Sequence, residues 1–371
     1  MHGSTIRPRK TPIKSMEKQC VGVDIASKSL RAALARKGAD DKVTCTASKK
    51  FDNTKSGFNQ LVRWAASELD KNVPVVYLME ATGVYHEELA HHLHRIGKQV
   101  HVVLPNKFKH FAASLNVKSK TDPIDAKLLA HFGVEREHRP WNPAEPVMKR
   151  MRHLSRYRVQ LQEQKTAISN ILHSKDHANA APAEVKKSCK KIIATLEREI
   201  GKLDKEMENV VKSDPAILSK VKDLCTIPGC GFITAAAIAA ETNGFKEFES
   251  AKQLTSYAGY DIVHNESGTS VLGRTHISKK GNRYIRHHLY MPAMSATTHV
   301  PEFKATSQRI KDRTKINMKA QVAIQRKLLI LMYTLWKNDS VYEQEHHQKK
   351  IARTEAQATQ DSALKQLPLE V

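Results

Sequence analysis

Cys20-Val21-Gly22-Val23-Asp24 and Val75-Val76-Tyr77-Leu78-Met79-Glu80 are the two stretches on which the fold turns. Each is a short apolar run of the kind that forms a buried strand. Each also ends on an acid. A carboxylate at the end of a core strand is costly to bury unless a cation meets it. Two more acids, Asp122 and Asp125, open a segment in which Ile124, Leu128, Leu129 and Phe132 recur at helical spacing. Their i, i+3 separation puts both on one helix face.

Working outward, residues 30–35 and 43–47 read as strands that follow the first run at short spacing, a meander. Phe58, Leu61, Val62 and Ala65 mark a helix. Residues 85–96 read as another, stopped by Gly97. Residues 100–104 read as a strand ended by Pro105. The order βββαβαβα predicts a ribonuclease H-like α/β domain over 19–140, with a mixed sheet and flanking helices. Pro140, Pro143 and Pro146 mark its end.

The pattern then turns all-α. Leu154, Leu161, Ile168 and Leu172 form one stripe; Ile192, Leu196, Ile200, Leu203, Met207 and Val210 form a second, close to a heptad seam. With a turn at 179–182, residues 145–215 read as a helical coiled-coil region. Two readings stand side by side: a hairpin within the chain, or a coiled coil that joins protomers.

Residues 220–340 read as a mainly helical third domain. Leu224-Cys225-Thr226-Ile227-Pro228-Gly229-Cys230-Gly231 precedes an Ala-rich helix and resembles a helix-hairpin-helix. There Gly229 and Gly231 would let backbone N–H groups at a helix start approach a DNA phosphate. A plain turn before a buried helix is the alternative. Residues 1–18 read as a basic flexible arm and 341–371 as a polar tail.

The 371 residues carry 61 Lys and Arg against 38 Asp and Glu, a net charge of +23. Such a charge favours encounter with polyanions, nucleic acid first. A ribosome-associated or merely basic protein is the alternative. No stretch approaches the ~20 apolar residues of a membrane span, and the N-terminus lacks a secretory signal. Five scattered cysteines without a C-x-x-C fit a reducing cytoplasm and no zinc knuckle.

In so basic a chain, Asp24, Glu80, Asp122 and Asp125 are candidate ligands for two Mg²⁺ ions about 4 Å apart, the arrangement for phosphodiester cleavage. Mg²⁺ prefers such hard oxygen ligands. Taken singly, Asp122 could be a helix cap beside Thr121, and Glu80 half of a strand-end ion pair. His86-Glu87-Glu88-Leu89-Ala90-His91 is not a zinc-protease motif, because position 90 is Ala. His91, His92 and His94 are expected on a solvated or phosphate-facing helix edge. The glycines at 229–231 lack the G-K-[ST] of a P-loop. Ser267 precedes Arg274, His276, Lys279, Lys280, Arg283 and Arg286. Nearby cations can make a serine hydroxyl attack a phosphodiester, although these residues alone favour an ordinary turn serine.

Val21-Gly22-Val23-Asp24, Met79-Glu80-Ala81-Thr82-Gly83-Val84-Tyr85 and Lys120-Thr121-Asp122-Pro123-Ile124-Asp125-Ala126 resemble the DEDD transposases of bacterial insertion sequences. Tyr257-Ala258-Gly259-Tyr260, Glu266-Ser267-Gly268, Ser278-Lys279-Lys280-Gly281-Asn282 and Leu289-Tyr290-Met291-Pro292-Ala293-Met294 resemble that family's second domain. The resemblance spans roughly 19–340. It implies a recombinase that cuts and rejoins donor and target double-stranded DNA under the direction of a structured guide, the bridge RNA. It implies a RuvC-like metal site at Asp24, Glu80, Asp122 and Asp125, and covalent attachment of DNA to Ser267. A composite site is expected, its metal half from one protomer and its serine half from another, in a dimer or tetramer. Lys120, Gly229, Gly231, Arg274, Lys279, Lys280, Arg283 and Arg286 are the expected nucleic-acid contacts. The place of action is then the bacterial cytoplasm, on the nucleoid. Two other functions stay open: a metal-dependent junction endonuclease without covalent serine chemistry, and a scaffold that binds nucleic acid without cutting it.

Overall fold

A computed structural model describes residues 18–343, apart from 47, 82, 118–120, 178–181, 265, 268–270 and 274; at 266, 267, 271 and 272 only the backbone is described. The chain divides after Pro143 into two compact units.

The first unit runs β1 (Lys18–Ile25), β2 (Ser29–Lys37), β3 (Val43–Cys45), β4 (Lys49–Asp52), α1 (Lys55–Glu68), β5 (Val75–Glu80), α2 (Glu87–Arg95), β6 (Gln99–Val103), α3 (Pro105–Ser114) and α4 (Asp122–Glu135). One sheet takes the order β3-β2-β1-β5-β6, with β4 also paired to β2. β1 and β2 are antiparallel, whereas β1, β5 and β6 are parallel. The unit is therefore a mixed α/β structure built on a mixed sheet.

Strand alternation decides which face each residue serves. Val21, Val23 and Ile25 pack with Tyr77 and Met79 against Phe58, Leu61, Leu89 and Leu93 of α1 and α2. Cys20 and Leu78 point the other way, into a cluster with Leu128, Leu129 and Phe132 of α4. Each fully buried Leu or Phe stabilises the unit by ~1.5–3 kcal/mol. Gly22 lies on the α4 face. A Cβ there would stand 2.0 Å from the Ala130 nitrogen and 2.5 Å from the Ala126 oxygen. A Cβ on Gly133 would reach the Cys20 sulfur at 2.2 Å. One glycine from the strand and one from the helix thus set the depth at which α4 sits.

Two elements escape the sequence pattern. β4 has Phe51 as its only buried residue, too little for a periodicity. α3 begins at Pro105, because a proline that ends a strand can equally open a helix. The helix expected at 85–96 starts at Glu87.

The second unit opens with α5 (Pro146–His177) and α6 (Ala183–Lys212). These pair within the chain as an antiparallel hairpin. Arg150–Glu206, Arg158–Asp204, Lys165–Glu197 and Lys186–Asp176 ion pairs run along it, the last two at 2.7 and 3.2 Å. Then come α7 (Pro215–Cys225), α8 (Phe232–Glu241), α9 (Ala251–Tyr257), β7 (Ile262–Val263), β8 (Glu266–Ser267), β9 (Val271–Leu272), β10 (His276–Ile277), α10 (Arg283–His288), α11 (Tyr290–His299), α12 (Pro301–Thr314) and α13 (Asn317–Asn338). The core gathers on α8, whose residues 235–241 are all buried. It is covered by Leu224, Leu254, Ile285, Leu289, Leu328 and Trp336 among others. Among the described residues no helix is long and apolar enough to cross a membrane.

Candidate functional site

The first candidate site follows from the packing of α4 on β1. Gly133 lies over Cys20, and Ala126 and Ala130 lie over Gly22. The helix therefore runs antiparallel to the strand, and its first turn arrives at Asp24. Asp122 and Asp125 are the acids of that turn. They also favour the helix N-terminus electrostatically. The cap position falls to Thr121 rather than Asp122, and its carbonyl accepts from Ile124 N and Asp125 N, both at 2.9 Å. Val23 pairs with Met79 in the parallel ladder. Asp24 and Glu80 therefore emerge side by side from the ends of neighbouring strands, on the face that α4 covers.

Electrostatics agrees with this convergence. Burial pushes the Asp24 carboxyl up to about 6, and the negative charges of Asp125, Asp122 and Glu80 push the same way. All four carboxylates thus act on one point, and a divalent cation is the natural relief of their repulsion. The donor set is all oxygen, which fits Mg²⁺. As placed, no three His, Cys, Asp or Glu side chains among the described residues close around a single ion. The fit therefore rests on donor chemistry and charge. Arg31, directly opposite Asp24 in the β1–β2 register, was missed by the sequence reading. Its signal was the only charge inside the apolar run of β2.

The histidines of α2 form an edge that is only partly solvated: His94 is exposed, and His91 and His92 are half-buried. His91 and His94 meet the Trp141 ring at 5.0 and 6.0 Å, and His92 meets Phe58 at 5.5 Å. Trp141 is held beside this helix by a 2.7 Å bond from its backbone N–H to the Val100 carbonyl.

In the second unit, Ser267 lies on a narrow β arm between α9 and α10. β7 pairs with β10 at its base, and β8 pairs with β9 further out, with Ser267 opposite Val271. Ser278 N donates to Asp261 O at 2.7 Å and Lys279 N to Gly259 O at 3.1 Å, closing the base. Lys279 (φ 52°) and Gly259 (φ 76°) make the bends. Lys279 and Lys280 are exposed there. Arg283 stacks on Tyr284 at 4.9 Å and lies 3.9 Å from Glu163 of α5. Arg286 is turned inward, with Nη1 donating to Ala258 O at 2.7 Å. Lys120 and Arg274 lie outside the described residues, as do 1–17 of the expected arm, 179–181 of the expected turn and the expected tail beyond 343.

α7 and α8 form the expected pair of helices around a Gly-rich turn. Gly231 caps α8 from an open position. Gly229 is constrained: its φ is +85°, and a Cβ would stand 2.6 Å from the Ser295 Cβ of α11. Gly229→Ala should therefore destabilise the second unit by about 2 kcal/mol or more, from left-handed backbone strain plus overpacking. Thermal unfolding checks this, and an unchanged midpoint would refute the packing role.

A profile of DEDD transposases of the IS110 kind, described as "Transposase", matches residues 21–175. A second, described as "Transposase IS116/IS110/IS902 family", matches residues 221–308. The pilin gene-inverting protein of Moraxella bovis is 27% identical over 341 residues, covering 90% of this chain and 100% of the relative. The probable family 20 transposase of Pseudomonas aeruginosa is 24% identical over 301 residues, 72% of this chain and 80% of the relative. An insertion element IS110 protein of Streptomyces coelicolor is 27% identical over 120 residues, 32% of this chain and 29% of the relative. The chain belongs to the IS110 family of insertion-sequence transposases. Membership implies a DNA-recombining enzyme that acts on DNA and suggests use of a divalent metal.

Proposed function

We propose that this transposase is a bridge-RNA-guided recombinase with a RuvC-like N-terminal unit. In this reading it cuts and rejoins donor and target DNA through Mg²⁺ and Ser267. The observation that carries the metal half is the convergence of Glu80, Asp122 and Asp125 on Asp24, a carboxyl that burial first, and then these three charges, raise to about 6. Asp24, Glu80, Asp122 and Asp125 would hold the cations. When bound, a Mg²⁺ pair supplies charge neutralisation at the reacting phosphate. The residues themselves hold the oxygen donors at fixed places: two at strand ends, two on a helix turn seated by Gly22.

The serine half is a displacement at phosphorus. The Ser267 oxygen forms a bond to the phosphorus, and the bond to one deoxyribose oxygen breaks. The hydroxyl proton passes to the departing oxygen, directly or through solvent. Lys279, Lys280 and Arg283 at the base of the arm supply positive charge for the DNA backbone, as would Lys120 and Arg274. Gly231, the cap residue of α8, has no side chain to bond the first turn, so backbone N–H groups there are offered to a phosphate. The net charge of +23 suits a protein that must hold a guide RNA and duplex DNA together. The carboxylates lie in one unit and Ser267 in the other. A composite site across protomers, joined as dimers or a tetramer through the outer faces of α5 and α6, is part of the proposal.

The competing reading is a metal-dependent junction endonuclease without serine chemistry. The Moraxella relatives favour the first, because a protein named for gene inversion must rejoin strands as well as cut them. The test is a denaturing gel of protein mixed with donor DNA, target DNA, guide RNA and Mg²⁺. The expected result is a covalent protein–DNA band with the wild type and none with Ser267→Ala. Omitting the RNA should abolish recombination. A band of normal intensity from Ser267→Ala refutes the serine assignment, and RNA-independent cleavage without a band supports the endonuclease.

A further inference from the structure

The Ser267 arm stands on a polar network that the reaction as described leaves unused. Glu241, at the end of the buried helix α8, is 1% exposed. Its two carboxylate oxygens accept from Arg156 Nε and Nη2 of α5, both at 2.8 Å. Oε2 also accepts from Asn282 Nδ2 at 2.6 Å. Asn282 is the first residue beyond the arm's basic loop. Its Oδ1 caps α10 by accepting from Tyr284 N at 2.9 Å and Ile285 N at 3.3 Å. Its own backbone N–H donates to Tyr257 O, at the end of α9, at 2.7 Å. The Arg156 guanidinium lies 4.8 Å from the centre of the Tyr284 ring. Gly281 has no room for a side chain, since a Cβ would reach Tyr257 O at 2.4 Å.

A buried carboxylate needs a reason for its place, because apolar residues of similar size would often stabilise a core better. Here the pair does not tie the core to itself. It ties the long helix α5 to both chain segments from which the arm springs. We infer that Glu241 is a positioning residue, which fixes the exit direction of the Ser267 arm by clamping Asn282 to Arg156. The inference rests on the reading of Ser267 as the nucleophile. Its geometry has a simple logic. An arm two strands wide has little stiffness of its own, so its direction must be imposed at the root. A bidentate Arg–carboxylate pair resists rotation where a single hydrogen bond would not.

Glu241→Gln tests this. It keeps the shape of the side chain but cannot serve Arg156 and Asn282 together. The expected result is a rate of covalent adduct formation at saturating DNA lowered about tenfold to a hundredfold, the scale for a misplaced reacting group. The half-saturating DNA concentration should not change. Amide exchange at Ser278 and Lys279, at the arm's root, should quicken. Ser155→Ala is the control, since it removes a buried hydrogen bond to His288 (2.9 Å) in the same unit; it should lower the melting temperature without either effect. Where Glu241→Gln loses its fold, Asn282→Ser carries the test, because serine still caps α10 but is too short to reach Glu241. Overturning results are a wild-type rate at saturation or unchanged exchange at Ser278 and Lys279. A Ser267→Ala protein that still forms the adduct would refute the serine reading instead, while the exchange measurement still decides whether Glu241 holds the arm.

Discussion

Asp24→Asn is expected to lower strand cleavage by at least about a hundredfold, the scale for removing one charge-stabilising group, while raising the melting temperature of the metal-free protein. The two effects have one cause. In the folded chain Asp24 is pushed from its ordinary 3.8 up to about 6 by burial and three like charges. Between those values the folded chain holds a proton that the unfolded chain has lost. The stability associated with that proton is complete below about pH 4 and is lost as pH rises through about 6. Above pH 6 the ionised cluster therefore opposes folding. That rise corresponds to ~3 kcal/mol, and screening at this half-open site reduces it to ~1–2 kcal/mol. Asparagine removes that penalty and should gain a few degrees. Thermal unfolding with and without Mg²⁺ supplies the second readout: the cation should stabilise the wild type and leave Asp24→Asn nearly unmoved. A less stable Asp24→Asn protein, or one that cleaves normally, would refute the assignment.

Gly22→Ala should be among the most damaging single methyls in the first unit. The added carbon would stand 2.0, 2.5 and 2.7 Å from Ala130 N, Ala126 O and Ala130 Cα. These are helix backbone atoms, so no side chain can turn aside. α4 must lift off the sheet, with a cost of about 3 kcal/mol or more. Asp122 and Asp125 would lift with it. The variant should therefore melt earlier and also lose most of its stabilisation by Mg²⁺. On the opposite face of the sheet, Ala32→Gly removes a methyl from the cluster packed on α1 and α2 and should spare the Mg²⁺ effect. An unaltered melting temperature in Gly22→Ala would be the falsifying outcome.

The strands that bear Asp24 and Glu80 were legible because they are continuous apolar runs, and α4 because its apolar stripe begins at a Pro-containing turn. The convergence of the acids was implied by element order alone, since parallel neighbours place their strand ends together. Glu241 was not legible. It follows a run of alanines, and nothing local says that Arg156, 85 residues earlier, will meet it. The same holds for Arg286, which reads as a surface cation and instead bonds the Ala258 carbonyl. Long-range polar pairing leaves no periodic trace, whereas apolar faces do. The histidines of α2 are a related case: Trp141, beyond the sheet in sequence, packs against His91 and His94.

The closed root of the Ser267 arm also bears on how such proteins diverge. Ser278 N to Asp261 O and Lys279 N to Gly259 O bring both ends of the arm to one spot. The helices on either side do not depend on how long the segment between these bonds is. Doubling a flexible loop costs only ~0.6 kcal/mol in closure entropy. Mutation can therefore lengthen, shorten or exchange the segment that presents the serine, and the helical body will fold as before. Reach and chemistry can evolve there separately from stability.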